Sequence, residues 1–195
     1  MSCMAVLFIA IVSMGFASCG DDDNNDLLDN TTTSSAPVKS CPDANHPHMI
    51  DLGLPSGTLW ACCNVGANTP EDYGDYYTFG AAQDYNLPSY DQISEFLENT
   101  TSVWTTQNGV NGRKFTSKIN GGMVFLPAGG QLVYDLYDDR GGDKFENLGE
   151  RGHYWSSTLA EGNNAYYLGF TTDYAKFSRS RSDYRSNGKS VRIVR

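Results

Sequence analysis

The sequence predicts an α+β domain of short antiparallel strands, with one clear amphipathic helix and long ordered loops. Three observations carry that expectation. Twenty Gly, twelve Tyr and nine Phe against seven Pro, in 195 residues, describe a turn-rich chain rather than a helical bundle. Leu87 to Asn99 is the segment with a convincing helical face. Towards the C-terminus, runs of alternating apolar and polar residues follow one another between short polar turns. The length and the 39% hydrophobic content suit one or at most two small globular domains and exclude a membrane bundle.

Residues 1–18 read as a lipoprotein signal peptide. Met4 to Phe16 is an almost unbroken apolar run, too short for the roughly 20 residues that span a bilayer but suited to a signal-peptide core. No Lys or Arg precedes it, which departs from the usual pattern. Phe16-Ala17-Ser18-Cys19-Gly20 then sets small residues before a cysteine, as a bacterial lipobox does, so the Cys19 thiol is the expected lipidation site. Residues 19–40 form the tether. Five Asp fall between Asp21 and Asp29, and a Thr/Ser stretch runs from Thr31 to Ser35; such a segment cannot bury a core. An acidic run after a lipidated cysteine resembles the surface-export signal of Bacteroidetes lipoproteins. The expected location is therefore the outer membrane, lipid-anchored and facing the exterior, with the inward-facing leaflet as the alternative.

The cysteines stand at 3, 19, 41, 62 and 63. Processing removes Cys3 and lipidation consumes Cys19, leaving three that cannot all pair internally. A bridge from Cys41 to Cys62 or Cys63 is one reading; the other places Cys62 and Cys63 in a strand with one side chain buried as a small hydrophobe. Neither is catalytic.

Residues 41–195 make the globular part. Met49 to Trp60 reads as two short strands around the Pro55-Ser56-Gly57 turn, with Leu59, Trp60 and Val65 in the core. Thr69 to Gly80 packs acids among aromatics, as an ordered loop covering a core edge does. In the helix, Ser89 is the N-cap, Gln92 its capping-box partner, and Tyr90, Ile93, Phe96 and Leu97 the apolar face. Val103 to Thr105 opens a strand before the turn at Gln107-Asn108-Gly109, and Gly112 to Phe125 is a hairpin centred on Asn120-Gly121-Gly122. Between Pro127 and Gly152 helical and alternating patterns both fit, and the segment reads as a long loop with a helical turn. His153 to Thr158, Ala165 to Thr171, Ala175 to Ser180 and Lys189 to Val194 are the strands of a terminal antiparallel sheet. Tyr166, Leu168 and Phe170 should point inward together, and Val191 with Ile193 likewise.

Charge divides the chain. Residues 1–112 hold 14 acids and one base, whereas residues 113–195 hold 9 acids and 13 bases. Lys176, Arg179, Arg181, Arg185, Lys189, Arg192 and Arg195 face only Asp183. They either form a basic surface for an anionic partner or neutralise the protein's own acidic half. Nucleic acid is not an expected partner of an exported chain. His46-Pro47-His48 has no third ligand near it in sequence, so no zinc site is expected. The acids around Gly141-Gly142, with Asp138, Asp139 and Asp143 as the calcium candidates beside Asp135, lack the position-by-position spacing of a calcium loop. No cofactor is expected.

Four segments together carry a family resemblance: Asp51-Leu-Gly-Leu-Pro-Ser-Gly-Thr-Leu-Trp60 with Asn64-Val-Gly66; Trp104-Thr-Thr-Gln-Asn-Gly-Val-Asn-Gly112; Phe125-Leu-Pro-Ala128; and Tyr154-Trp-Ser-Ser157 leading to Ser190-Val-Arg-Ile-Val-Arg195. They resemble the Fibrobacter succinogenes major paralogous domain family, frequent in Bacteroidetes surface lipoproteins. The resemblance implies a C-type-lectin-like fold related to the formylglycine-generating-enzyme fold, with no generally established activity. Formylglycine-generating chemistry needs a late cysteine pair, and no cysteine follows Cys63. The expected function is a lipid-anchored binding module. Its ligand is a glycan or a protein surface, held by Tyr174, Arg179, Arg181, Tyr184, Arg185 and Asn187, whose rings, guanidinium forks and amide suit such ligands. The alternatives are a structural or adhesive component of a surface assembly, using Tyr73, Tyr76, Tyr77 and Phe79 as contacts, and an uncharacterised hydrolase dependent on an acid such as Asp139.

Overall fold

A computed structural model describes residues 40, 41, 44–135, 142–161, 164–180 and 185–195; of residues 134, 135, 143, 179 and 180 it describes the backbone alone. The signal segment, Cys19 and the tether up to residue 39 lie outside the described residues, as do Asp138, Asp139, Arg181 and Tyr184.

Strands β1 (Met49–Asp51) and β2 (Leu59–Ala61) form an antiparallel pair in which Ile50 faces Trp60. A four-residue helix, α1 (Phe79–Ala82), is capped by Thr78. The ten-residue α2 (Tyr90–Asn99) starts on the expected capping box: Gln92 N–H donates to Ser89 Oγ, and Ser89 N–H donates to Gln92 Oε1 at 2.9 Å. Next come β3 (Thr100–Gln107), β4 (Val110–Ser117) and β5 (Met123–Pro127), an antiparallel meander. Asn108 and Gly109 join β3 to β4 with φ of 47° and 84°. Both central residues thus adopt the left-handed backbone of a tight hairpin turn, for which Asn-Gly is the favoured pair.

β6 (Gln131–Asp135) and β7 (Gly142–Glu146) pair as a hairpin. This corrects the loop with a helical turn expected between Pro127 and Gly152. Cross-strand pairing there outweighs the helical face that Leu132, Val133, Leu136 and Tyr137 suggested, and Leu136 and Tyr137 lie outside the described residues. β8 (Gly152–Leu159), β9 (Ala165–Phe170) and β10 (Ala175–Ser180) form the last sheet, with β9 central.

Residues 188–194 meet that sheet at Ser190 alone, through one parallel bridge to Tyr154 of β8. Single bridges tie Gly188 to Leu132, Lys189 to Tyr77, Ser190 to Tyr154 and Val194 to Trp60. The tail's carbonyls accept from β2 and beyond, with Ala61 N–H on Ile193 O at 3.0 Å and Val65 N–H on Val191 O at 3.0 Å. The tail is a seam between separate elements rather than a fourth strand.

The α+β, C-type-lectin-like expectation is therefore corrected. Among the described residues the protein is β-rich, 42% strand and 11% helix, and its strands are distributed over four small antiparallel sheets. The physical reason is that period-two pairing claims the ambiguous 131–146 segment, while of the two described helices only α2 runs beyond a single turn.

Two apolar clusters hold these parts. The larger joins Ile50, Leu52, Trp60, Ile93, Phe96, Phe115, Leu126, Leu168 and Phe170; Trp60 and Phe96 stack at 4.2 Å. The smaller joins Phe79, Ala82, Leu87, Trp155, Ala165 and Val191. Leu168, Phe170 and Val191 are buried as expected, whereas Tyr166 and Ile193 are half-buried, Tyr166 lying against Tyr90 at 4.9 Å. Val65 and Leu59 are also half-buried.

Candidate functional site

Folding gathers chemistry in two places. The first lies beside β1 and β2. Their ladder runs on past its last register pair: Cys62 N–H donates to His48 O at 2.8 Å, and His48 N–H donates to Cys62 Sγ at 3.1 Å. His46 precedes His48 by two residues and reaches the same sulfur, with its Nδ1 at 3.1 Å. Cys41 closes the group. Its Sγ stands 3.2 Å from His46 Nδ1 and 3.5 Å from His48 Nδ1, and Cys62 Sγ stands 3.9 Å from His48 Nδ1. One donor atom from each of the four residues lies within 4.8 Å of all the others.

Cys62 and Cys63 are both buried and Cys41 is half-buried. Cys63 contacts Cys62 Sγ at 3.6 Å. That contact, more than any other, holds the Cys62 thiol down to about 4, against the opposing effect of burial; His46, the His48 N–H and Cys41 add to it. The same contact pushes the Cys63 thiol up. The thiolate is the form of cysteine that binds metals. Next to the cluster, Glu71 is buried. Burial would raise its carboxyl, but the amides of Gln107 and Asn108, donating to Oε1 at 2.6 Å and 2.7 Å, help hold it low.

The cluster is hidden in the linear sequence because Cys62 lies 14 residues beyond His48. The available signal was Cys41 five residues before His46, together with the antiparallel turn that returns Cys62 to His48.

The second place is an open cleft of about 560 Å³ between the β3–β4 sheet, the turn after β7 and the β9–β10 turn. Trp104 and Tyr174 supply rings, and Asn111, Glu150, Arg151 and Asp173 supply polar groups. Arg113 anchors the wall. Its Nε donates to Thr171 O at 2.8 Å, Nη2 to Thr172 O at 2.9 Å and Nη1 to Ser102 Oγ at 2.6 Å. Asn111 Nδ2 donates to Gly149 O at 3.1 Å and ties the turn after β7 to the β3–β4 sheet. Tyr174 is 39% exposed, with Lys176 Nζ 4.4 Å from its ring centroid.

Of the residues expected to bind ligand, Tyr174 alone lines this cleft among those whose side chains are described. Two others of the six have described side chains, and both lie away from the cleft. Arg185 lies over the Phe79 ring at 4.5 Å, and Asn187 is buried. β10 carries the chain away from Tyr174, because Ala175 pairs with Phe170 at one end and Arg179 with Tyr166 at the other. Five residues of extended chain separate Tyr174 from Arg179 by about 17 Å. The side chain of Arg179, like Arg181 and Tyr184, lies outside the described residues, as do the calcium candidates Asp138 and Asp139 and the side chain of Asp143.

The expected basic surface is also reduced. Lys189 and Arg192 are interior, at 2% and 1% exposure. Lys189 Nζ donates to Gln131 Oε1 at 2.8 Å and lies over Trp155 and Tyr167; burial brings its pKa down to about 8. The remaining histidine, His153, is buried, its ring 5.4 Å from that of Tyr167.

No family model, curated protein or solved structure matches this chain. Among the described residues, no helix is long and apolar enough to cross a membrane.

Proposed function

We propose that this chain is a lipid-anchored surface binding module, held to the outer membrane through Cys19, that binds a glycan in the cleft between Trp104 and Tyr174. The cleft carries the reading. It offers two aromatic rings flanked by a carboxylate pair, a guanidinium and an amide, the combination that stacks on sugar faces and hydrogen-bonds their hydroxyls. Support for the anchor comes from the apolar run, small residues and cysteine in lipobox order, followed by five Asp. The reading is of binding rather than catalysis, and its resemblance to the Fibrobacter succinogenes major paralogous domain rests on the sequence motifs alone.

Of the four contacts assigned to the assembly alternative, Phe79 is buried against Trp155 at 5.4 Å, whereas Tyr73, Tyr76 and Tyr77 are half-buried, Tyr77 packing on Tyr85 at 4.9 Å and Tyr76 donating its hydroxyl to Gly129 O.

The test is binding of the full chain, purified in detergent, to a glycan array, with Tyr174→Ala and Asp173→Asn beside it. Saturable binding weakened roughly tenfold or more by either change, at unchanged melting temperature, supports the cleft. Absence of any variant-sensitive glycan signal, with binding to extracellular proteins instead, overturns the glycan reading.

A further inference from the structure

We infer that Cys41, His46, His48 and Cys62 form a closed zinc site that fastens the start of the globular part to β1 and β2. The donor set is two thiols and two imidazoles, the soft-plus-borderline combination that selects zinc in a tetrahedral site. For bonds of roughly 2.3 Å to sulfur and roughly 2.05 Å to nitrogen, tetrahedral S and N ligands stand about 3.6 Å apart. The four sulfur to Nδ1 separations are 3.2, 3.5, 3.1 and 3.9 Å, on both sides of that value. Both histidines present the same ring nitrogen to both sulfurs. Four protein ligands leave no open position, so the metal is structural and performs no hydrolysis.

The surroundings suit the ion as well. Two thiolates balance the charge of Zn²⁺, and binding releases to solvent whatever thiol protons remain on Cys41 and Cys62. The backbone N–H of His48 donates to Cys62 Sγ at 3.1 Å, an outer hydrogen bond of the kind that holds a ligating thiolate, and the Cys63 sulfur lies 3.6 Å from the same atom. Cys62 is buried at the end of β2, while Cys41, His46 and His48 are half-buried on the segment leading into β1. The cross-link therefore joins chain positions 21 residues apart, Cys41 and Cys62. Closing such a loop constrains the unfolded chain, the same principle by which a disulfide stabilises. This site is independent of the glycan cleft, since none of its ligands lines that cleft.

The experiment is metal analysis of the full chain purified under reducing conditions from zinc-supplemented medium, followed by replacement with cobalt(II). The expected result is one zinc per chain and, after replacement, the intense visible bands of tetrahedral cobalt with thiolate charge transfer in the near ultraviolet. Cys62→Ser and His46→Asn should each lower bound metal about tenfold or more. Because Cys62→Ser removes a buried group, Cys41→Ser at the half-buried end is the second variant, with the same expected loss. His153→Gln, outside the cluster, should keep full occupancy. Two results overturn the inference: reduced wild-type protein with neither zinc nor a tetrahedral cobalt spectrum, or a Cys41–Cys62 disulfide peptide as the state of the chain isolated without reductant and refractory to zinc after reduction.

Discussion

Arg192 concentrates much of this protein's long-range order in one side chain. Its Nε donates to Asn64 Oδ1 at 3.0 Å, Nη1 to Ala61 O at 2.9 Å and Nη2 to Phe125 O at 3.0 Å, joining the C-terminal tail to β2 and β5. Burial lowers its pKa, yet three well-directed acceptors keep the guanidinium in place. Replacing it with Met leaves those acceptors without this donor, so Arg192→Met should cost roughly 3 kcal/mol or more, and Arg192→Lys should recover little because one ammonium cannot fork towards three elements. Urea denaturation checks this; a loss well under 1 kcal/mol would refute it. His153 makes a second residue-scale prediction. Burial, with Lys189 and Arg151 nearby, brings its imidazole from 6.5 down to about 3. Between those values the unfolded chain binds the proton and the folded chain does not, so stability is full above pH 6.5 and is lost as pH falls towards 3. His153→Gln should flatten that part of the stability profile between pH 6.5 and pH 4. An unchanged slope would show that other groups carry it.

At the scale of elements, local chemistry and the hairpins between neighbouring strands were legible, whereas the partners of residues 131–146 and of the tail were not. The Ser89 and Gln92 capping box lies within one helical turn, and the helix begins where those residues say it should. Ser89→Ala should therefore cost about 1 kcal/mol, read as a shift in the urea midpoint at unchanged slope. The Asn108-Gly109 and Asn120-Gly121-Gly122 turns were equally readable, because positive backbone angles restrict which residues fit. The β6–β7 hairpin was not, since Leu132 and Val133 satisfy both a helical and an alternating pattern until a partner strand decides. The tail failed for a related reason. Its apolar alternation is real, but it meets Leu132, Tyr77, Tyr154 and Trp60 in turn rather than one neighbouring strand. Gly152 shows a further cross-strand demand. It pairs with Phe170, whose ring covers it, and a Cβ there would collide with that ring. Gly152→Ala should destabilise by roughly 1–3 kcal/mol through forced repacking of β8 against β9. A thermal melt within experimental error of wild type would count against this.

For the molecule as a whole, the two candidate sites make separate predictions. Stripping metal from the Cys41, His46, His48 and Cys62 cluster with a chelator should lower the melting temperature by several degrees, and added zinc should restore it, since a ligand bound only by the folded chain stabilises it. Calorimetry with and without zinc reads this directly, and a melting curve indifferent to both additions would refute it. The cleft should respond to neither, because its walls are fixed by Arg113 and Asn111 rather than by the metal ligands. In cells, Cys19→Ser should release the protein from the membrane and abolish palmitate labelling; a mutant that stays labelled would remove the anchor from the reading.

The boundary between what the residues alone specify and what folding decides follows the reach of the forces involved. The signal-like run, the acidic stretch after Cys19, the capped helix and the tight turns depend on groups a few positions apart, so they are written locally. The small-sheet architecture, the burial of Lys189 and Arg192, and the separation of Tyr174 from Arg179 depend on which distant strands pair and in what register. The Cys41 to Cys62 cluster belongs to that second group. Its four ligands are ordinary in the linear chain and become a site only when β1 and β2 fold antiparallel and lay Cys62 beside His48.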